Sequence, residues 1–290
     1  MARVLVVTDS TSYLPDGVAR DHGLIVVPLQ VVLDGRALTE GVEVTSAEVA
    51  AALSAGRQVT TSRPSPALFA ATYRQAAGSA DGPVDIVSVH LSGDLSGTVD
   101  AARTAAREVA TDGITVRVVD SRTIALGLGF ATLAAARAAG RGQSSDRVAE
   151  AAARCAHNTG TWLYVDTLEY LRRGGRIGAA SAFLGSALSV KPLLHLVDGR
   201  IEPVERVRTS SRALARLEQL VATAVGERRV DVGVQHLGAA ARAEELAARL
   251  AARLTLASLV VSEVGTVIGA HAGPGLVGVV AAPAEQDGGR

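Results

Sequence analysis

Apolar, β-branched runs alternate along the chain with alanine-rich segments of helical period. Strands are predicted at Val4–Thr8, Leu24–Leu33, Val84–His90 and Val116–Asp120. Helices are predicted near Ser46–Ala55, Pro66–Ala77, Thr98–Ala110, Leu126–Ala139 and Asp146–His157. Continuously apolar strands separated by helices call for a parallel sheet covered on both faces. From Thr159 the texture changes. "TWLYVDTLEYLRRGGRIG" reads as a strand, a short helix and a Gly-Gly-Arg turn. "KPLLHLVDGRIEPVERVRT" reads as two strands about Asp198-Gly199, a dipeptide that turns hairpins. A helix near Ser211–Val225, a strand at Val230–Gln235, a helix near Ala240–Leu254 and strands at Leu256–Val264 and Leu276–Ala281 complete the pattern.

The expected fold class is α/β. Residues 1–158 form an N-terminal domain with a doubly wound, mainly parallel sheet. Residues 159–290 form a second α/β domain, with a largely antiparallel sheet, packed on the first. No repeat and no low-complexity linker separates the halves.

Composition narrows the function. With 290 residues, 48% hydrophobic, the chain can bury a large core. The 29 basic and 29 acidic residues cancel, and aromatics are 3%, which removes the electrostatic and stacking arguments for nucleic acid. Lys191 is the sole lysine, in keeping with a codon bias toward Arg and Ala. Cys155 is the sole cysteine, so neither an intrachain disulfide nor a Cys-based structural zinc site is expected. "MARVLVVTDS" is interrupted too early for a signal peptide and reads as a first strand. The most lipid-like stretch, Ile124–Ala136, is short of the roughly 20 residues that span a bilayer. A soluble, cytoplasmic protein without a membrane span is expected.

Polar groups with chemical potential gather at the ends of predicted strands and the starts of helices: "TDSTS" (8–12), "TTSRPSP" (60–66), "HLSGDLSGT" (90–98) and "VVDSRT" (118–123). That is the edge where doubly wound sheets hold ligands, because helix-initial amides there lack intrahelical partners. Any one of these residues could simply cap a helix. Ser96 could also be a nucleophile or a hand for an anion. In "GTVIGAHAGPGLVGVV", His271 stands among glycines just before a strand, a setting in which it could face a pocket. "RRGGRIG" lacks the Gly-Lys-Ser/Thr ending of a phosphate loop, and "GLGF" lies within a helical pattern. Neither supports a nucleotide site, and no His/Asp/Glu spacing suggests a metal.

"VTDSTSYLP", "TTSRPSP", "HLSGDLSGT", "VVDSRTIALGLG", "TLEYLRRGGRIG", "VKPLLHLVDGRIEPVERVRT" and "GAHAGPG" stand in the order and approximate spacing of the DegV family. The resemblance runs from about residue 3 to 281. The family includes the fatty-acid-binding subunits of bacterial fatty acid kinase. It implies a two-domain protein enclosing a long-chain fatty acid, such as palmitate, in a tunnel between the domains. A separate ATP-using kinase subunit would phosphorylate the carboxylate. Matched by motif, the ligand-binding residues are Thr61, Ser62, Ser96, Gly97, Thr98 and His271. Arg176 and Arg208 resemble positions linked to the head-group network or to kinase contact. No cofactor is implied. Ser92-Gly93-Asp94 departs from the frequent Ser-Ser-Gly of the family and adds a carboxylate close to the anion site.

Physical chemistry agrees with a binding role. A carboxylate taken from water needs hydrogen-bond donors, which Thr61, Ser96 and helix-initial amides supply. The tail contributes about 0.8 kcal/mol per buried CH₂. Ile124–Ala136 and residues 180–190 are the expected tunnel lining. The alternative is a serine hydrolase using Ser96, His271 and an aspartate, Asp9 or Asp120. "GDLSG", however, has two residues between glycine and serine where a nucleophile elbow has one.

Overall fold

The structure is a computed structural model that describes residues 2–80, 82–183 and 190–284. The chain divides into two compact units. The first is 1–157 with 198–200 and 265–270; the second is 158–197, 201–264 and 271 onward.

The first unit runs β1 (Arg3–Asp9), α1 (Val18–Asp21), β2 (Ile25–Val27), β3 (Gln30–Leu33), β4 (Arg36–Thr39), α2 (Ser46–Ser54), β5 (Val59–Ser62), α3 (Pro66–Gly78), β6 (Val84–His90), α4 (Thr98–Val109), β7 (Thr115–Asp120), α5 (Leu126–Gly140) and α6 (Ser145–His157). Strands β2-β1-β6-β7 form a parallel sheet. Val7, Val27 and Ile86 bury one face of it under Phe69 and Tyr73 of α3 and Ala101, Ala102, Ala105 and Val109 of α4. Thr8 points to the other face, where Thr132 of α5 donates to its Oγ1 at 3.2 Å. The helix ends follow from their sequences: Ser65 accepts from the Leu68 amide with Pro66 at the first helical position, and Thr45 and Glu48 form a capping box.

The apolar run Leu24–Leu33 is not one strand. Pro28 lacks an N–H and cannot continue a ladder, and the chain leaves the parallel sheet there. Beyond it β3 enters a second, antiparallel sheet of order β4-β3-β5. Residues 124–136, expected to line a tunnel, fall mostly on α5, where Leu126, Leu128, Ala131 and Ala135 are fully buried.

The second unit holds β8 (Gly160–Tyr164), α7 (Glu169–Arg173), β9 (Lys191–Val197), β10 (Arg200–Val207), α8 (Ser210–Val225), β11 (Val230–His236), α9 (Ala240–Ala251), β12 (Leu256–Glu263), α10 (Thr266–Ala272) and β13 (Val277–Pro283), with Arg200 of β10 and most of α10 assigned to the first unit. Its sheet has the order β10-β9-β8-β13-β11-β12. The β11–β12 pair is parallel, and the β8–β9, β8–β13 and β11–β13 pairs are antiparallel. Trp162, Tyr164, Leu193, Val232 and Val279 bury one face under Leu214, Leu217 and Val221 of α8 and Leu246 and Leu250 of α9. Between β9 and β10, Asp198 and Gly199 both take positive φ, at 48° and 83°. That is the twist a two-residue hairpin requires. Of the other expected tunnel segment, residues 184–189 lie outside the described residues.

Candidate functional site

The carboxyl ends of β1 and β6 lie side by side, with Thr8 opposite Val89, and a buried carboxylate joins them. Asp9, fully buried, accepts from Thr11 N at 3.1 Å, Thr11 Oγ1 at 2.5 Å and Leu91 N at 3.1 Å, and its Oδ2 lies 3.0 Å from His90 Nδ1. The other ring nitrogen, Nε2, is 2.7 Å from Ser88 Oγ, which accepts from Tyr73 OH at 2.8 Å. Ser88, His90 and Asp9 thus follow one another as in a hydrolytic triad. All three are fully buried and Ser88 is covered by Tyr73, so no substrate reaches the hydroxyl. The array ties the loop after β1 to the loop after β6. It also commits Asp9 to His90. Asp120, the other aspartate considered for a hydrolase, accepts from the Gly93 and Arg122 amides at 3.2 and 2.9 Å.

The loop that follows β6 is held from a second direction. Ser92, fully buried, donates to the Gly199 carbonyl at 2.7 Å, and Arg122 donates to the Asp198 carbonyl. Asp94, the unexpected carboxylate, receives Arg200 Nε at 2.9 Å and stands 3.9 Å from Arg122 Nη2. Its charge is therefore opposed by two arginines and fastens the loop to the turn at 198–200.

Ser96 stands just before α4, with its Oγ 2.9 Å from the fully buried Thr98 Oγ1 and 3.3 Å from the Thr98 amide that it accepts from. One hydroxyl proton is used within this pair, which leaves the other for a further acceptor. Thr61 and Ser62 are half-buried in β5, where Thr61 pairs with Val31. They do not lie on the edge of the parallel sheet, as their motif led us to expect, because β5 belongs to the antiparallel sheet. Ser62 donates to Gln30 Oε1 at 3.2 Å. The two motifs nevertheless meet. Arg63, the residue after Ser62, lays its side chain over Gly97: a Cβ built on that glycine would overlap Nη1 and lie 2.9 Å from Cδ.

In the second unit His271 occupies the last turn of α10, not a coil before a strand. Its imidazole sits against Gly174, whose Cβ, if built, would overlap Nδ1 and come 2.9 Å from Cε1. Burial, and then the nearby Arg176 charge, push the His271 pKa down to about 4. The ring is thus neutral near pH 7, with a single N–H donor. Arg176 donates to the Gly174 carbonyl at 2.6 Å. His271, Gly174 and Arg176 form one group. Arg208 is exposed in the turn between β10 and α8.

Sequence reasoning passed over His90, Arg63 and Glu40. Glu40 accepts from Tyr13 OH at 2.8 Å, Val267 N at 2.8 Å, Thr266 Oγ1 at 3.2 Å and Ser10 Oγ, and so caps the start of α10. Burial and then the Glu40 charge raise the Tyr13 pKa well above its ordinary value. A cavity of about 380 Å³ opens beside this group, lined by Ser12, Leu14, Val26 and Thr45 among others. Among the described residues no group of three or more His, Cys, Asp or Glu could hold a metal ion, and no helix is long and apolar enough to cross a membrane.

Comparison with known proteins bears on this arrangement. A DegV domain-containing protein of Streptomyces coelicolor is 57% identical over 279 residues, covering 96% of this chain and 97% of that one. Another from Mycobacterium tuberculosis is 40% identical, covering 95% and 96%. Among solved structures, a DegV family protein from Thermus thermophilus, described by its fatty acid binding, superposes with a TM-score of 0.90 at 37% identity, covering 97% of this chain and all of that one. DegV of Bacillus subtilis, described as a fatty acid binding protein, superposes with a TM-score of 0.85 at 30% identity, covering 98% and 100%. The model of the family described as "Uncharacterised protein, DegV family" matches residues 3–284. With its motifs, its fold and its relatives in agreement over nearly its whole length, the chain belongs to the DegV family.

Proposed function

We propose that this protein is a fatty acid carrier. It binds one long-chain fatty acid, of the class of palmitate, with the carboxylate held by Thr61 and the Ser96–Thr98 hydroxyl pair, supported by Ser62, the Gly97 backbone and His271. The observation that carries the reading is the meeting of the two hydroxyl motifs of the first unit, where the Arg63 side chain crosses Gly97. In this reading the hydroxyl donors of the two motifs serve one carboxylate, which needs them once it leaves water. The fatty acid binding described for the relatives from Thermus thermophilus and Bacillus subtilis supports the same ligand class.

The carrier works in the cytoplasm as the non-catalytic partner of an ATP-using kinase subunit. In that reaction a carboxylate oxygen attacks the terminal phosphorus of ATP on the kinase, ADP leaves, and an acyl phosphate forms. This chain's residues position the carboxylate, and Arg176 and Arg208 contribute to head-group or kinase contact. The hydrolase alternative is disfavoured because Asp9 and Asp120 are both engaged elsewhere.

Native mass spectrometry of the purified protein tests the reading. A co-purified long-chain fatty acid, exchangeable for added palmitate, is the expected result. Ester turnover that is lost in Ser96→Ala would overturn it in favour of the hydrolase.

A further inference from the structure

Arg63 stands out at the head-group site because its charge is unclaimed. Its guanidinium crosses Gly97, the residue between Ser96 and Thr98. Gly97 has φ −75° and ψ 13°, which any residue adopts. The glycine therefore serves the close approach of Arg63, not a turn. Arg63 is exposed and makes no hydrogen bond or ion pair among the described residues. The nearby carboxylates do not compensate it: Asp94 is opposed by Arg200 and Arg122, and Asp120 accepts backbone amides.

We infer that Arg63 is a specificity-determining residue that makes this site select lipids with an ionised head group over neutral lipids of the same chain length. The inference rests on the carrier reading above. Hydroxyls such as Thr61, Ser96 and Thr98 can donate to a neutral alcohol or ester oxygen as well as to a carboxylate, so they read charge only through the strength of a hydrogen bond and carry no net charge of their own. A neutral His271 does not read it either. A guanidinium does, because its planar fork of donors fits a carboxylate and its charge is gained only when the partner is anionic. The side chain crosses Gly97, the residue between the two hydroxyls, which puts its charge in the same loop as the donors.

The test compares palmitate with hexadecanol, binding to delipidated wild type, Arg63→Gln and Arg63→Lys. Arg63→Gln is expected to weaken palmitate binding by about tenfold while hexadecanol affinity stays unchanged. Arg63→Lys is expected to restore much of the preference for the acid. An unchanged acid-to-alcohol ratio in Arg63→Gln, or a lysine that restores nothing, overturns the inference and leaves the carrier reading standing. A wild type that binds neither lipid overturns both. Thermal melting of the variants should match wild type, since the side chain is exposed and unpartnered.

Discussion

The imidazole of His271 rests on the α-carbon of Gly174, so the Gly-Gly-Arg turn and the histidine of the C-terminal glycine-rich motif form one packed contact. Gly174 has φ −74° and ψ −8°, helical values open to any residue. Crowding, not backbone conformation, keeps the position free of a side chain. In Gly174→Ala the new methyl would overlap Nδ1 and press on Cε1 and Cγ, which lie 2.9 and 3.3 Å from it. The ring must move, at a cost of about 1–3 kcal/mol. Urea unfolding of this variant should show the loss, and the His271 ring resonances should shift. A wild-type midpoint would mean that the ring is not packed there.

The same contact fixes the sign of a pH effect. His271 has a pKa near 4 in the folded chain, against an ordinary value of 6.5. The unfolded chain therefore binds more protons between these values, and stability falls as pH drops from about 6.5 toward 4, then levels off. Above pH 6.5 the group contributes nothing to the slope. The loss attributable to this residue is at most about 3 kcal/mol. Denaturation midpoints at pH 7 and pH 5 should differ less in His271→Gln than in wild type. An equal difference in both proteins would remove His271 from the linkage.

What the sequence made legible, and what it hid, divides along the range of the forces involved. Strand β6 and helices α3 and α4 stand where the apolar pattern and the caps put them, because burial, a Ser cap and a Pro start act locally. The Asp198-Gly199 hairpin was legible because its two positive φ angles demand such residues. The break at Pro28 was hidden inside an apolar run, since hydrophobicity alone does not say which sheet a strand joins. His90 ends an apolar strand and reads as core. Its meaning appears only when β1 pairs with β6 and brings Asp9 beside it. Arg63 was masked by the hydroxyls around it, and its role depends on Gly97, thirty-four positions away.

Asp9 is the anchor of that hidden array. Its two oxygens face only donors: two amides, a threonine hydroxyl and the His90 ring. Asp9→Asn keeps the shape but turns an NH₂ group toward two of those donors, leaving buried groups unsatisfied. The expected destabilisation is about 3 kcal/mol. Tyr73→Phe removes only the outermost bond of the chain and should cost about 1 kcal/mol. Chemical denaturation of the two variants checks the order. A Tyr73→Phe loss equal to that of Asp9→Asn would contradict the assignment of Asp9 as the centre.

The head-group assignment is tested by removing its hydroxyls together. Ser96→Ala alone frees Thr98 Oγ1 from its 2.9 Å partner, so the threonine can turn to the ligand and conceal the loss. Thr61→Ala alone leaves the Ser96–Thr98 pair intact. In the double variant both elements lose a donor, and palmitate affinity should fall about tenfold or more. The apolar tail, at about 0.8 kcal/mol per CH₂, keeps binding measurable. Both side chains are only half-buried, so the melting temperature of the empty protein should stay close to that of wild type. The decisive comparison is acyl-phosphate formation with a cognate kinase subunit at saturating palmitate. If the hydroxyls position the carboxylate, the double variant turns over slowly even when full of ligand; wild-type turnover in the loaded variant would remove Thr61 and Ser96 from the site.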